Sequence, residues 1–434
     1  MLNFFWVCAL LSFPITSFPF FGISSTVSPL SFAFILIILI LLFFKPKIRL
    51  NHINLDDSLV LFFYGLYILL TSIFISLGTA NSFSYIATGF FSFLVGFFFY
   101  FVFSAMNLSK SEVYKTEKYI LIGMSLSVAY AVIQWFTHTK AQNFLPIVTF
   151  LDHLMINADN LSSERFQGFA REPAWLADQL LLISLPLTLS MILSKRSYGR
   201  LMILNKVTPI RLEYLYFCIA TLGILIAGSR TGFLGLFILI LISLFYALGN
   251  NDRLSYKIFK TFFYIFWIFL GVVFLINSPY SYGVLKSAFA SDNFIVFANQ
   301  SSFAPRLSLW LSSIDVIKDN FISGIGINQF GNFYPSYVQD WALNSTEVLG
   351  FVELNDINSK QLFLKVFLEG GVIGFFIFVY FLSRHFVGFS SHRSRAKYLR
   401  VLIFFSLIIV SFESDTYALP NLWFALGFCK LIKD

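Results

Sequence analysis

Apolar residues in this chain fall in about twelve near-continuous runs, at 3–21, 28–44, 58–78, 83–106, 119–137, 174–194, 214–228, 231–248, 259–277, 361–383, 399–413 and 417–431, separated by short polar connections. A bilayer core is spanned by ~20 apolar residues in helical form, so the pattern predicts an all-α protein with about 12 transmembrane helices. The last two runs are short and read as a hairpin that barely crosses. The runs extend from end to end, which makes residues 1–434 a single integral membrane domain. Two connections depart from this rhythm. Residues 138–173 form the first, and residues 278–360 form one large hydrophilic loop that begins at Asn277-Ser278-Pro279. Within the large loop, Leu307, Trp310, Leu311, Ile314 and Ile317 recur at helical spacing, with Ser308, Ser312, Asp315 and Asp319 opposite. After Pro305, that spacing predicts an amphipathic helix lying at the membrane's outer surface.

Composition fixes the solvent. Hydrophobic residues make up 58% and charged residues 12% of the chain, where a soluble domain carries about 25% charge. A soluble core this apolar would leave no surface. Cys8, Cys218 and Cys429 each lie inside a different apolar run, as packing residues rather than disulfide, metal or redox groups. The N-terminus has neither a basic leading region nor a small-residue cleavage site, and reads as a retained helix.

Charge fixes the orientation. Of the 30 Lys and Arg residues, 21 fall in one set of alternate connections and nine in the other, whereas acidic residues sort the opposite way. Basic loops stay cytoplasmic, so both termini are expected inside. The inner loops Lys45–Asp57, Asn107–Lys118, Lys195–Glu213, Gly249–Phe259 and Arg384–Arg400 are short and basic. Orientation and contact with anionic lipid account for them, and the net charge of +8 says nothing of nucleic acid. The outer face is net acidic, yet it keeps Arg165, Arg171, Arg230 and Arg306, each in a distinctive setting.

Those settings carry the candidate chemistry. In Glu164-Arg165-Phe166-Gln167-Gly168-Phe169-Ala170-Arg171-Glu172-Pro173, two arginines bracket a Gly-Phe turn just before a span that Pro173 opens. Proline suits a first helical turn, and Glu172 complements the helix dipole there. Gly228-Ser229-Arg230-Thr231-Gly232 sits between two apolar runs with no room for a loop, which puts Arg230 at the membrane boundary. A charge at a bilayer's centre costs at least ~2.5–3.5 kcal/mol and less near its edge, so such a residue faces a partner or a wet cavity. Arg306 opens the amphipathic helix against the dipole. Gly324-Ile325-Gly326-Ile327-Asn328-Gln329-Phe330-Gly331 lacks the spacing and the preceding strand of a dinucleotide loop. Glu369, inside the tenth run with Gly370, Gly371 and Gly374 beside it, needs a partner such as an arginine or Lys365. Several arginines around one cavity suit an anionic ligand with many oxygens, because planar guanidinium groups match phosphate in paired hydrogen bonds. No Asp, Glu or His cluster has metal-ligand spacing, so neither metal nor cofactor is expected.

Taken in order, Gly168–Trp175, Gly228–Gly232, Arg306 to Trp310 with Gly324-Ile325-Gly326, and Leu364 to Gly374 resemble the O-antigen polymerase and ligase superfamily over about residues 160–375. The resemblance implies a fold akin to the multi-span GT-C glycosyltransferases in the bacterial inner membrane, with a periplasmic active site. It implies metal-independent transfer from an undecaprenyl-diphosphate-linked oligosaccharide, with a chain-length regulator as a possible partner. Ligases of this superfamily usually carry a His-Asn pair about ten residues before the final Glu-Gly. Lys360 and Gln361 stand there instead, which favours the polymerase branch, joining repeat units into O antigen or a related surface polysaccharide. On that reading Glu172 and Arg230 are the catalytic candidates, and Arg165, Arg171, Arg306, Asn328 and Glu369 bind the diphosphate and glycan. The rivals are a ligase acting on lipid A core and, in another class, a transporter or flippase of lipid-linked sugars. The halves show no internal repeat, and transporters bind near the midplane.

Overall fold

The computed structural model of the protein describes residues 2–19, 27–44, 52–76, 83–156, 165–203, 206–248, 265, 303–354, 357–386 and 394–432. Helices occupy most of them: α1 (Leu2–Leu11), α2 (Leu30–Phe44), α3 (His52–Ser76), α4 (Phe83–Ala105), α5 (Lys110–Thr139), α6 (Leu145–Ile156), α7 (Pro173–Gln179), α8 (Leu185–Leu193), α9 (Leu212–Ala227) and α10 (Arg230–Leu248). Then follow α11 (Phe303–Asp319), α12 (Phe330–Tyr337), α13 (Thr346–Leu354), α14 (Leu362–Phe386), α15 (Arg395–Val410) and α16 (Pro420–Leu431). One antiparallel hairpin, Arg200–Ile203 with Lys206–Arg211, departs from the all-α expectation.

Among the described residues, six helices are long and apolar enough to cross a membrane: Asp56–Ser76, Phe83–Ala105, Lys110–Thr139, Pro173–Leu193, Arg230–Ala247 and Leu362–Phe386. Leu2–Leu11, Leu30–Phe44 and Leu212–Ala227 are apolar but shorter. The first predicted run, 3–21, is helical only to Leu11 and then turns, with Ser17 bridging to Ser28. The ninth run, 259–277, and the start of the large loop lie outside the described residues. Phe43, Phe74, Phe245 and Phe376 stand outward on their helices. So many exposed large apolar side chains suit lipid, not water.

Pro173–Leu193 is buried from Leu176 to its end. It forms the axis against which α9, α10 and α15 pack. A π-turn at Leu180–Ser184 interrupts it just before Pro186, whose missing N–H removes a helical bond. Ser406 of α15 donates to the Leu181 carbonyl there, at 2.8 Å. Elsewhere small residues set the spacing. Gly96 of α4 lies against Trp423 and Gly427 of α16 against Phe103, so neither has room for a side chain. Where α15 begins, buried ion pairs tie the helices: Arg395 to Glu117 of α5 at 2.6 Å, and Asp57 of α3 to both Lys430, at 2.7 Å, and Arg384.

The described part of the large loop has its own core, built from Leu309, Val316, Ile325, Phe330, Tyr334, Val348 and Ile357, with Leu368 of α14 joining it. The expected amphipathic helix is α11, but the face it buries is not the one its apolar spacing marks. Ser308, Leu309, Ser312, Ser313 and Val316 point inward, whereas Leu307, Trp310 and Leu311 are half-buried and Ile314 is exposed. The inward serines find partners: Ser308 Oγ lies 2.9 Å from Tyr334 OH, and Ser312 Oγ donates to the Tyr337 carbonyl at 3.0 Å.

A glycine clamp fastens this loop to the spans. Helix α14 breaks at Gly371, where φ is 57° and ψ is −162°. The carbonyls freed by the break accept from the loop: Ile325 N–H bonds to Leu368 O at 2.7 Å and Gly326 N–H to Glu369 O at 3.1 Å, while Val372 N–H bonds to Phe321 O at 2.8 Å. Gly324 and Gly371 approach so closely that a Cβ on either would strike the other's backbone. Ser72 of α3 completes the clamp by accepting from Ile327 N–H at 2.6 Å.

The segment Phe166–Ala170 is fastened to α5. Gly168, at φ 59°, sits where a Cβ would collide with the Ser127 carbonyl. Its N–H bonds to Gln134 Oε1 at 2.9 Å, and Phe169 stacks on Tyr130 at 4.9 Å. Beneath it, Asp152 of α6 accepts from Tyr130 OH at 2.9 Å and from Gln134 Nε2 at 2.8 Å. Burial outweighs these two bonds and raises the Asp152 carboxyl above the usual carboxylate range. An acid whose pKa is raised by folding stabilises the fold fully below its unfolded pKa of about 3.9, and loses that contribution as pH climbs through the raised value. Asp152→Asn keeps an acceptor for both donors. It should therefore melt at or above the wild-type temperature at about pH 8 and show a smaller difference between about pH 5 and about pH 8. A variant melting well below wild type at the higher pH contradicts this.

Candidate functional site

Five segments meet at one end of the spans. The first is the turn between α9 and α10. Gly228, at φ 59° and ψ 27°, ends α9 in the left-handed conformation that glycine accepts without strain. Ser229 then caps α10, its Oγ accepting from Gly232 N–H at 3.2 Å. Two helices thus join without a loop, and Arg230 becomes the first residue of α10. A cation there opposes the helix dipole, so helix energetics do not explain it.

Arg165 arrives from the segment before α7. Its Nε donates to the Ala227 carbonyl at 3.2 Å, and its stem lies against Gly228. Arg306 arrives from the first turn of α11 and pairs with Glu413 Oε1 at 3.1 Å. The other oxygen of Glu413 accepts from Ser229 Oγ at 3.3 Å. Arg165, Arg230 and Arg306 are thereby grouped around one turn, with Glu413 joining the loop helix to it. Arg306 stays 43% exposed, enough to receive a ligand.

The fourth segment is the start of α7. Glu172 occupies the N-cap position, its side chain exposed and making no capping bond, while its carbonyl accepts from Trp175 N–H at 3.1 Å. Pro173 follows at the first helical position. Arg171 is held by its backbone, whose N–H bonds to Thr16 Oγ1 at 3.0 Å. One turn into the helix lies Asp178, fully buried and within electrostatic reach of Glu413, Arg306 and Glu172. Neither of its carboxylate oxygens has a hydrogen-bond partner among the described residues. Burying a carboxylate without partners is costly, so Asp178 marks this end of α7 as polar by design.

The fifth segment is the connection between α15 and α16, where three residues each reach a different motif. Glu413 binds Arg306, Asp415 accepts from Lys360 N–H at 2.8 Å, and Tyr417 OH donates to Glu369 Oε2 at 2.9 Å. Sequence reading passed over Glu413, Asp415 and Asp178. The available signal was Phe412-Glu413-Ser414-Asp415, two acids in the few residues between apolar runs.

Two candidates stand apart from this group. Glu369 is 2% exposed and bonded at both oxygens, to Lys365 Nζ at 2.7 Å, to Asn328 N–H at 2.9 Å and to Tyr417. Asn328, at φ 56°, also donates from Nδ2 to the Tyr85 carbonyl at 3.3 Å. Both belong to the clamp that positions the loop. Lys360 and Gln361 have structural tasks as well, since Gln361 Oε1 caps the N–H of Leu364 at the start of α14.

Residues 215–379 match the family model described as O-Antigen ligase. Over that stretch the chain is similar to the O-antigen ligase family. The matched stretch runs from α9 through the turn with Arg230, the loop helix with Arg306 and the glycines of the clamp, with Ser72 outside it. Arg165, Arg171, Glu172, Asp178 and Glu413 reach the site from outside the matched stretch. No curated protein matches the chain. The family match indicates a membrane enzyme of the O-antigen ligase or polymerase type.

Proposed function

We propose that this protein is a polysaccharide polymerase of the bacterial inner membrane, with about 12 spans in a GT-C-like arrangement and a periplasmic site. It joins undecaprenyl-diphosphate-linked oligosaccharide repeat units into O antigen or a related surface polysaccharide. The observation that carries this reading is the meeting of Arg306 with Glu413 and Ser229 beside Arg230, on the face whose connections are net acidic. Diffuse attraction does not hold an anion on such a face, whereas fixed guanidinium groups do. The half-exposed apolar side of α11, with Leu307, Leu311 and Ile314, supports a loop that rests on the bilayer beside the lipid carrier.

In this mechanism a hydroxyl of the incoming repeat unit attacks the anomeric carbon of the growing glycan. The new glycosidic C–O bond forms as the bond to the diphosphate breaks, and the leaving diphosphate carries the electron pair. Arg230, Arg306 and Arg171 bind that diphosphate and stabilise its developing charge. Glu413 yields Arg306 to the diphosphate as the donor enters. Glu172, exposed at the mouth of α7, takes the acceptor proton.

The description of the matched family favours a second reading, a ligase transferring finished glycan to lipid A core. Against it, Lys360 and Gln361 occupy the place of the His-Asn pair and are engaged in the backbone bonds described above. Deletion of the gene separates the two. A polymerase deletion leaves single repeat units on the acceptor, and a ligase deletion leaves none. Purified protein supplied with lipid-linked repeat units alone should lengthen them; failure to do so, with transfer to lipid A core once that acceptor is added, overturns the polymerase reading.

A further inference from the structure

The chain leaves α5 at Thr139 and turns straight back along it. Ala141 N–H bonds to the Phe136 carbonyl at 3.2 Å, and α6 then runs beside α5. Tyr130 OH lies 3.4 Å from the Val148 carbonyl and 2.9 Å from Asp152 Oδ1, and Gln134 Nε2 lies 2.8 Å from the same carboxylate oxygen. At 1.5 Å per residue, Tyr130 sits about 13 Å back from the end of α5. The middle of α6 is therefore level with the interior of a 30-residue apolar helix, not with its tip.

The two sides of α6 differ. Val148 and Asp152 face α5 and are buried, whereas Ile147, Phe150 and Leu154 are 58%, 65% and 54% exposed. Thr149 and His153 run along one edge of that outward face. At the same level α5 itself exposes Leu126 and Ile133, a surface that suits lipid as the outward phenylalanines of the other helices do.

The segment Phe166–Ala170 lies at this depth too. Gly168 N–H bonds to Gln134, Phe169 N–H to Ser127 Oγ at 2.9 Å, Phe166 N–H to the Ile226 carbonyl at 3.3 Å and Ala170 N–H to the Gln167 carbonyl at 3.0 Å. Non-helical backbone at membrane depth is tolerated only where protein satisfies its polar groups, which these bonds do. An ionisable residue at such depth must likewise face protein and be hydrogen-bonded, as Asp152 is. A loop standing in water beyond the end of α5 would need none of this.

We propose that α6 is a re-entrant helix that dips into the leaflet in which α5 ends, and that its face of Ile147, Phe150 and Leu154 is a contact surface for lipid acyl chains. Continuity selects lipid over a protein partner, because the face lies level with residues of α5 that already stand outward from an apolar span. On this reading α6 and Phe166–Ala170 lie within the bilayer and not above it. The surface depends on no assignment made at the arginine site.

The test reads depth from nitroxide labels on the full-length protein in phosphatidylcholine vesicles, with Cys8, Cys218 and Cys429 replaced by Ala. Phe144→Cys, Ile147→Cys, Phe150→Cys and Leu154→Cys each supply one label site, all four at exposed positions. Leu126→Cys on α5 is the lipid reference, and Glu347→Cys, exposed on α13, is the water reference. Oxygen concentrates among acyl chains and a nickel chelate in water, so the ratio of their relaxation effects rises with depth. It should climb from Phe144→Cys to Leu154→Cys, over a depth of up to about 15 Å, and approach that of Leu126→Cys. Ratios like that of Glu347→Cys overturn the proposal. A ratio that stays level along α6 also overturns it, because that describes a helix lying flat at the surface. Labels shielded from both agents overturn the lipid contact, since a second copy or another protein then covers the face. Any two of the four positions define the slope, and a melting temperature matching wild type shows that the variants used are folded.

Discussion

Arg306→Ala should slow extension of the polysaccharide by about 10²–10³-fold while leaving the melting temperature nearly unchanged. The two halves of this expectation rest on different physics. Arg306 is 43% exposed, and its bond to Glu413 at 3.1 Å is an ion pair open to water. Pairs of that kind are worth only about 0–1 kcal/mol to stability. A fixed donor aimed at developing charge is worth ~2.7–4 kcal/mol to the transition state, because its orientation is set before the reaction begins. Arg306→Lys keeps the charge but not the planar fork, and should recover only part of the loss. The same assay on Arg230→Ala tests the second guanidinium of the group. Extension by Arg306→Ala within threefold of wild type, on comparable amounts of folded protein, would remove Arg306 from the diphosphate site.

Gly371→Ala is expected to be the most damaging single change in the described structure, with a cost of about 2–6 kcal/mol. Its backbone, at φ 57° and ψ −162°, lies in a region that only glycine occupies freely. An added Cβ would also strike the Ile322 carbonyl. The strain alone costs about 1–3 kcal/mol, and displacing the packed loop adds a similar amount. A marginally stable protein has about 5–15 kcal/mol in all, so folded protein in the membrane should fall steeply. Gly350→Ala is the internal control, since no neighbour lies within 4 Å of its added Cβ. The comparison is read by size-exclusion profile and melting temperature in detergent. Similar behaviour of the two variants would show that the clamp does not hold the loop.

The apolar helices were legible in the sequence because lipid imposes a simple rule, long apolar runs: helices of the described structure lie along eleven of the twelve runs, and six of them are long and apolar enough to cross a membrane. The motifs were legible for a different reason. Charged residues and glycines inside apolar surroundings are costly and stand out. What hydropathy could not supply was partnership. Gly324 and Gly326 offered no recognisable ligand loop and Gly371 read as part of a packing stripe, yet the three form a single fastening between two distant segments. Glu413 closes a short apolar run and was passed over, because its role depends on Arg306, which lies 107 residues earlier. The inward face of α11 was misjudged for a related reason. Its serines are buried only because Tyr334 and the Tyr337 carbonyl await them.

The glycine clamp also bears on how the protein is made. Ser72 is synthesised 255 residues before the Ile327 N–H that it accepts. At about 5–20 residues per second, roughly 13–50 s of translation separate them. In that interval α3 is already in the membrane while its partner has yet to emerge. Ser72 Oγ also donates to the Ile68 carbonyl of its own helix, at 2.6 Å, so its proton has a partner from the start. The early spans therefore wait as a half-built bundle, and assembly closes only when residues 321–328 reach the side of the membrane where α3 ends. A Ser72→Cys nascent chain arrested before that point should be open to thiol modification, and release of the arrest should protect it.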